Sequence, residues 1–296
     1  MPLPVVVGID GSASSLRAVD WAADEAHVRG VPLRLLHTSL WDRYEPDASD
    51  NPDLALARKA VAELVDTASE RAGTRRPGVE VRAEVVPQAT VPALLEAACE
   101  ASVLVVGDRG RGGFAGLLLG STGLQTAARA ACPVVVVRGG DDAVDRRHGR
   151  VVLGVGDPGS SRAAAEFALD LAETWGARLE AVHAWHSTDP FLLYGPAMNA
   201  MADAGYVQAR RMLEAATADA AAAHPGVLLR LEPRNAGSHK ALLEAAADAD
   251  LLVVGARRRH SAVGLQLGPV NHAVLHHAPC PVAVVPEART PPPAQD

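Results

Sequence analysis

Aromatic residues are scarce: three Phe, three Tyr and four Trp in 296 residues. The apolar 48% is therefore carried by Ala, Val and Leu. That mix suits valine-rich parallel strands covered by Ala- and Leu-rich helices. Cysteine is nearly absent too. Cys99, Cys132 and Cys280 form an odd set without short spacings, which argues against a disulfide framework or a zinc site. An excess of positive charge is also missing. The net charge is −7, and the longest basic run is the isolated triplet Arg257–Arg259, so nucleic acid is not an expected partner. No apolar stretch approaches the roughly 18 residues of a membrane span. The opening MPLPVVVGIDGS lacks the charged start and apolar run of a signal peptide. The expectation is a soluble cytoplasmic protein with no membrane contact.

What is present is a long internal repeat. Leu94-Leu95-Glu96-Ala97-Ala98 returns as Leu242-Leu243-Glu244-Ala245-Ala246, Leu104-Val105-Val106-Gly107 as Leu252-Val253-Val254-Gly255, and Cys132-Pro133-Val134 as Cys280-Pro281-Val282. Val6-Val7-Gly8 matches Val152-Leu153-Gly154, and Leu36-His37 matches Val182-His183. A repeat this long is a duplicated domain. The expected division is a first domain over 1–138, a polar linker over 139–149, a second domain over 150–287, and a Pro-rich, disordered tail over 288–296.

Each repeat alternates strands and helices. In the first, strands are expected at Val5–Ile9, Leu33–Thr38, Val79–Val86, Val103–Val106 and Val134–Val137. Ser14 or Ser15 should cap the first helix, Gly30 should end it, and Pro92 should open a later one. A polar loop is expected over Ser39–Asp53, and a helix from about Ser121 to Ala131. The fold class is α/β: two tandem five-stranded parallel sheets, doubly wound, flavodoxin-like or Rossmann-like. Strands one and four should flank the switch point, so a ligand would sit beyond their carboxyl ends. There Asp10 and Gly107 meet.

Gly107-Asp108-Arg109-Gly110 leaves strand four, Gly112, Gly113 and Gly116 follow, and Gly120-Ser121-Thr122 opens the next helix. Glycines let backbone N–H groups approach phosphate oxygens, and a helix N-terminus adds unpaired donors and partial positive charge. Ser121 could cap that helix and offer its hydroxyl to a phosphate. An ordinary glycine-rich loop would look much the same by spacing alone.

The spacing G-x2-G-x9-G-S/T, filled by Gly107, Gly110, Gly120 and Ser121, resembles that of the ATP-binding members of the universal stress protein family. Val7-Gly8-Ile9-Asp10-Gly11-Ser12 resembles that family's first strand and turn, and both repeats share the likeness. The resemblance implies that Gly8, Ile9, Asp10, Gly11 and Ser12 form the first-strand side of the site, with Asp10 at the nucleotide or a metal. Thr38 would lie near the adenine, where the family often has valine. Gly107, Asp108, Arg109, Gly110, Gly120, Ser121 and Thr122 would form the ribose and triphosphate side. ATP is the implied ligand, with Mg²⁺ reaching the site through the phosphates.

The second repeat departs from the pattern. Arg258 stands where Gly110 would, Pro269 replaces Ser121, and Gly156 replaces Asp10, with Asp157 shifted by one. Proline has no N–H to offer a phosphate. The second domain is expected to have lost ATP, unless Asp157 and Arg257–Arg259 substitute.

Other constellations carry less. His272 and His276 could share a helix face, as in some zinc sites, but without an acidic or cysteine partner a surface or contact role is expected. Cys132 and Cys280 should be buried packing residues. Asp10, Ser12 and His37 do not make a hydrolase triad, since no G-x-S-x-G elbow exists. The valine-rich fifth strands, with Val134, Val136, Val282 and Val284, would be exposed edges. They are expected to pair within the chain or in a homodimer. The functions in play are a nucleotide-dependent stress-response module, a slow ATP-hydrolysing enzyme of the adenine-nucleotide α-hydrolase-like group, and a ligand-free interaction module. A dinucleotide oxidoreductase is disfavoured, because no G-x-G-x-x-G follows strand one.

Overall fold

The computed structural model describes residues 2–40, 52–110, 119–185, 196–256 and 267–287. The first half runs β1 (Val5–Gly8), α1 (Ala13–Arg29), β2 (Leu33–Thr38), α2 (Pro52–Arg75), β3 (Val81–Val86), α3 (Thr90–Ala97), a 3-10 turn (Ala98–Glu100), β4 (Val103–Gly107), α4 (Ser121–Arg129) and β5 (Val134–Val137). A short helix, α5 (Asp141–Val144), crosses to the second half. That half runs β6 (Arg150–Gly154), α6 (Pro158–Trp175), β7 (Arg178–Trp185), α7 (Pro196–Ala223), β8 (Leu229–Asn235), α8 (Ser238–Ala245), a 3-10 turn (Ala246–Asp248), β9 (Leu251–Ala256), α9 (Pro269–His277) and β10 (Val282–Pro286).

The strands form one ten-stranded sheet in the order β3-β2-β1-β4-β5-β10-β9-β6-β7-β8. Every neighbouring pair is parallel except β5 with β10, where Val134, Val135 and Val136 face Val284, Ala283 and Val282. The two five-stranded sheets expected from the repeat are thus joined through their fifth strands within one chain. Neither of those edges is left open.

Strand residues alternate between two cores. Val5, Val7, Val103, Val105, Val135 and Val137 pack on the face covered by α1, α2, α6 and α7. Val6, Leu104, Val106, Val134 and Val136 pack with residues of α3, α4, α8 and α9 on the other. Both faces are covered at the centre of the sheet, so β1, β4 and β5 read as unbroken apolar runs rather than as alternation.

Local chemistry sets the helix ends. Ser12, with extended backbone, is the N-cap of α1 and its Oγ accepts from the Ser15 N–H at 3.1 Å. The sequence pointed to Ser14 or Ser15, which instead lie inside the first turn. Gly30 ends α1 in the left-handed conformation, φ +63°, as glycine does at no steric cost.

The segment 139–149 is structured. Gly139 has φ +84°, and the Gly140 N–H donates to Pro279 O at 3.3 Å. The Arg146 guanidinium lies 3.9 Å from the Trp175 ring centre and 5.0 Å from that of Trp21. Its charge meets Glu25, fully buried, at 2.9 Å. Arg29 and the Trp175 indole N–H also reach Glu25, at 2.5 and 3.0 Å.

Candidate functional site: the crevice between β1 and β4

β1 pairs with β4 on one side and with β2 on the other, so the winding direction reverses between β1 and β4. Strands that diverge in this way leave a crevice at their carboxyl ends. Here it is a cavity of about 410 Å³.

Ile9, Leu36, Leu94 and Val106 form its apolar walls. A Cβ at Gly8 would stand 3.1 Å from Leu94 Cδ2, so glycine there lets α3 close on the sheet. The His37 Nδ1 is 2.8 Å from Ile9 O and pins the end of β2 to the β1 turn. The Thr38 and Thr90 hydroxyls, 2.8 Å apart, stand at the same end.

The other end is polar. Asp10 Oδ1 accepts from the Ser12 N–H at 2.9 Å, and a Cβ at Gly110 would meet Asp10 Oδ2 at 2.7 Å. The carboxylate therefore lies directly over the Gly110 backbone. Some loop donors are already committed: the Asp108 N–H donates to Val137 O, the Gly120 N–H to Asp108 O, and the Arg109 N–H to Ser14 Oγ. The first turn of α4 is different. Its N-cap, Gly120, offers no side-chain acceptor, so among the described residues no side chain caps the first-turn N–H groups. Ser121, Thr122 and Gly123 of that turn all line the cavity. Ser121 is the first helical residue rather than the cap, and it lines the cavity.

Of the residues singled out in the sequence, Gly8, Ile9, Asp10, Thr38, Gly107, Arg109, Gly110, Gly120, Ser121 and Thr122 line this cavity, and Gly11, Ser12 and Asp108 do not. Ser12 caps α1. Asp108 Oδ1 accepts from Ser14 Oγ at 2.6 Å and fastens the loop to that helix. Gly112, Gly113 and Gly116 lie outside the described residues, as do Arg257–Arg259. Sequence reasoning missed Thr90, Leu94 and Gly123 as lining residues. Thr90 was legible only through the start of α3, which begins two residues before Pro92 and so carries Thr90 to the rim.

The second half keeps the cavity and changes its lining. Its volume is again about 410 Å³. His183 Nδ1 lies 2.8 Å from Val155 O, and Ser161 Oγ accepts from the Gly156 N–H at 3.1 Å. These repeat the His37–Ile9 contact and that of Ser15 Oγ with the Asp10 N–H. At the helix end, Pro269, Val270 and Asn271 replace Ser121, Thr122 and Gly123. The Asn271 amide donates to Gly255 O at 3.0 Å. Asp157 caps α6 by accepting from the Gly159 N–H at 3.0 Å.

Elsewhere, the His272 and His276 rings stack with centres 6.0 Å apart. Among the described residues no group of three His, Cys, Asp or Glu is gathered as a metal site. Cys132 and Cys280 are buried, and burial pushes each thiol up to about 12. Among the described residues no helix is long and apolar enough to cross a membrane.

These features define a duplicated, doubly wound α/β protein with a crevice at the switch point of each half. A model described as the universal stress protein family matches residues 1–138 and 148–286, and the chain belongs to that family. Universal stress protein Rv2005c of Mycobacterium tuberculosis is similar at 34% identity, over 95% of this chain and 96% of the relative. Universal stress protein Rv2623 of the same organism is similar at 31% identity, over 97% and 98%. The crystal structure of a universal stress protein from Archaeoglobus fulgidus shares the fold with a TM-score of 0.67 at 19% identity, over 96% of this chain and 98% of that one.

Proposed function

We propose that the first half binds ATP in the cavity between Asp10 and Thr122 and that the protein acts as a nucleotide-dependent module in the stress response. The observation that carries this reading is the N-terminus of α4, without a side-chain cap at Gly120, opening into a cavity at the switch point. Donors there match phosphate oxygens, and the helix dipole favours the charge. The apolar walls at the Leu36 and Leu94 end suit a planar base. Among the described residues no carboxylate cage is gathered, and Asp10 is the one acidic residue of those that line the cavity. Mg²⁺ would therefore arrive on the triphosphate, as it does where few protein ligands are offered. Of the lining groups with the chemistry of a general base, His37 has its Nδ1 engaged with Ile9 O and Asp10 accepts from the Ser12 N–H, which favours binding over hydrolysis as the function.

The second half supplies the test, because its own scaffold accommodates proline and valine at the matching positions. Ser121→Pro with Thr122→Val removes one N–H and two hydroxyls from the cavity. Hydrogen bonds to charged groups are worth about 1.5–3 kcal/mol each, and 1.4 kcal/mol is about tenfold in affinity. Calorimetry should show ATP binding weakened at least about tenfold, with the thermal melt of the variant still cooperative. Unchanged affinity would refute the site.

A further inference from the structure

β3 is an outer strand of the sheet, and among the described residues nothing pairs with its free edge. On its inner side the Leu33 N–H donates to Glu80 O at 2.9 Å and the Ser39 N–H to Val86 O at 3.1 Å. The even-numbered residues of β3 therefore turn their backbone groups towards β2. Successive residues of a strand alternate, so Val81, Ala83 and Val85 turn theirs outward. Arg82, Ala83 and Val85 are exposed. A row of unpaired N–H and C=O groups is a template for another strand.

The sequence along this edge, Val81-Arg82-Ala83-Glu84-Val85, is complementary to itself when reversed. With a second copy laid antiparallel about Ala83, Ala83 faces its own counterpart and Val81 faces Val85. These are the outward-turned residues, so each facing pair exchanges two backbone hydrogen bonds. Arg82 faces Glu84 in the intervening positions, where side chains approach most closely. Opposite charges there favour the pairing and like charges oppose it. The existing ion pairs are extended by the contact. Arg34 Nε lies 2.8 Å from Glu84 Oε1, and Arg82 Nη2 lies 2.7 Å from Glu80 Oε1. Across the contact they join into one alternating series, Arg34 and Glu84 of one copy followed by Arg82 and Glu80 of the other. Charges on an edge strand commonly deter association; here their order selects a copy of the same strand.

β8, the outer strand at the far end, supplies a comparison within the chain. Leu229-Arg230-Leu231-Glu232-Pro233 keeps the Arg-x-Glu order. The Leu179 N–H donates to Leu228 O at 3.0 Å, so the odd-numbered residues again face outward. One of them is Pro233, which has no N–H to give, and proline on an outer strand closes that edge. One end of the sheet is closed and the other open, so pairing stops at two chains instead of running on as a filament.

We propose that two copies of this chain associate through β3, antiparallel about a two-fold axis at Ala83, so that their sheets become one. The carboxyl ends of the strands then point in opposite directions in the two copies, and their first-half cavities open on opposite sides of the assembly.

The test is sedimentation equilibrium of the full chain over a micromolar to submillimolar series. A monomer–dimer equilibrium is expected, without larger species. Ala83→Pro removes an N–H that faces away from β2, and should weaken the dimer at least about tenfold while the thermal melt stays cooperative. Arg82→Glu and Glu84→Lys should each weaken it as well, because each sets like charges face to face. Mixed in equal amounts, these two charge variants should dimerise with each other, which fixes the register and shows that both are folded. If Ala83→Pro does not fold, the charge variants and their mixture decide. A wild-type chain that stays monomeric, a dimer indifferent to these substitutions, a mixture that fails to pair, or open-ended growth would each overturn the proposal.

Discussion

A Cβ at Gly107 would overlap Ser14 Oγ and lie 2.8 Å from the Ser14 carbonyl carbon. This glycine is therefore required by the packing of α1 on β4, whatever else it serves, and alanine there would disturb the helix before it disturbed a ligand. Gly110 is a cleaner probe of the site, because its neighbour is the Asp10 carboxylate. The cysteines divide by the same kind of argument. Cys99 is exposed, whereas Cys132 and Cys280 are buried with thiols held near 12. The thiolate is the nucleophile, so iodoacetamide at about pH 8 should label Cys99 alone in the native protein; modification of Cys280, read by mass spectrometry, would contradict this. Asp24 gives a pH dependence. Its burial acts to raise the carboxyl, but hydrogen bonds and charge from Arg75 and Arg76 outweigh that and hold it below the usual carboxylate value. A lowered folded value means that the carboxylate stabilises the fold above the unfolded value of about 3.9, and that this contribution is lost as pH falls through the folded one. Asp24→Asn should cost about 1–3 kcal/mol at neutral pH. Urea unfolding should show the gap between wild type and variant narrowing below about pH 4; a gap independent of pH would count against the pairing.

The strands and helices were largely written in the sequence, and their ends were not. β2 and β5 lie where their apolar runs begin and stop. Helix starts slipped because an N-cap is defined by backbone conformation, and several residues in a row had the right chemistry. Ser12, Ser14 and Ser15 are all competent caps, but only Ser12 is both extended and placed to accept from Ser15. Pro92 fits a first turn, yet α3 begins at Thr90 behind an Ala89 that makes no side-chain cap bond. That shift of half a turn decides whether Thr90 belongs to the site. The polarity of 139–149 likewise concealed α5 and the packed Arg146. Gly139 is the point where this crossing is tightest. Its φ of +84° disfavours any side chain, and a Cβ would overlap the Pro279 carbonyl oxygen. Gly139→Ala should cost more than about 1 kcal/mol, seen as a lower melting temperature. An unchanged melt would mean that the crossing can relax.

At the scale of the molecule, the two copies of the domain meet edge to edge through β5 and β10 within one chain. A valine-rich edge strand can be satisfied by a copy of itself in the same chain or in another, and composition does not distinguish these. The structure resolves it with contacts that only one chain provides. β5 meets β10, Arg138 donates to the Val274 and Leu275 carbonyls at the end of α9, and Arg146 sits between Trp21 of the first half and Trp175 of the second. None of these residues lines either cavity, so the scaffold is kept while the linings of the two cavities differ. Among the described residues, the edges left to the ten-stranded sheet are β3 and β8. Residues 1–138 alone should behave differently. They would expose the backbone of Val134–Val137, and an uncovered apolar edge recruits another strand. Sedimentation should find this fragment dimeric or larger, with β5 paired to β5 in place of β10, at concentrations where the full chain shows no association through that strand. A fragment that stays monomeric would mean that the Trp–Arg–Glu25 cluster, rather than strand pairing, holds the halves together.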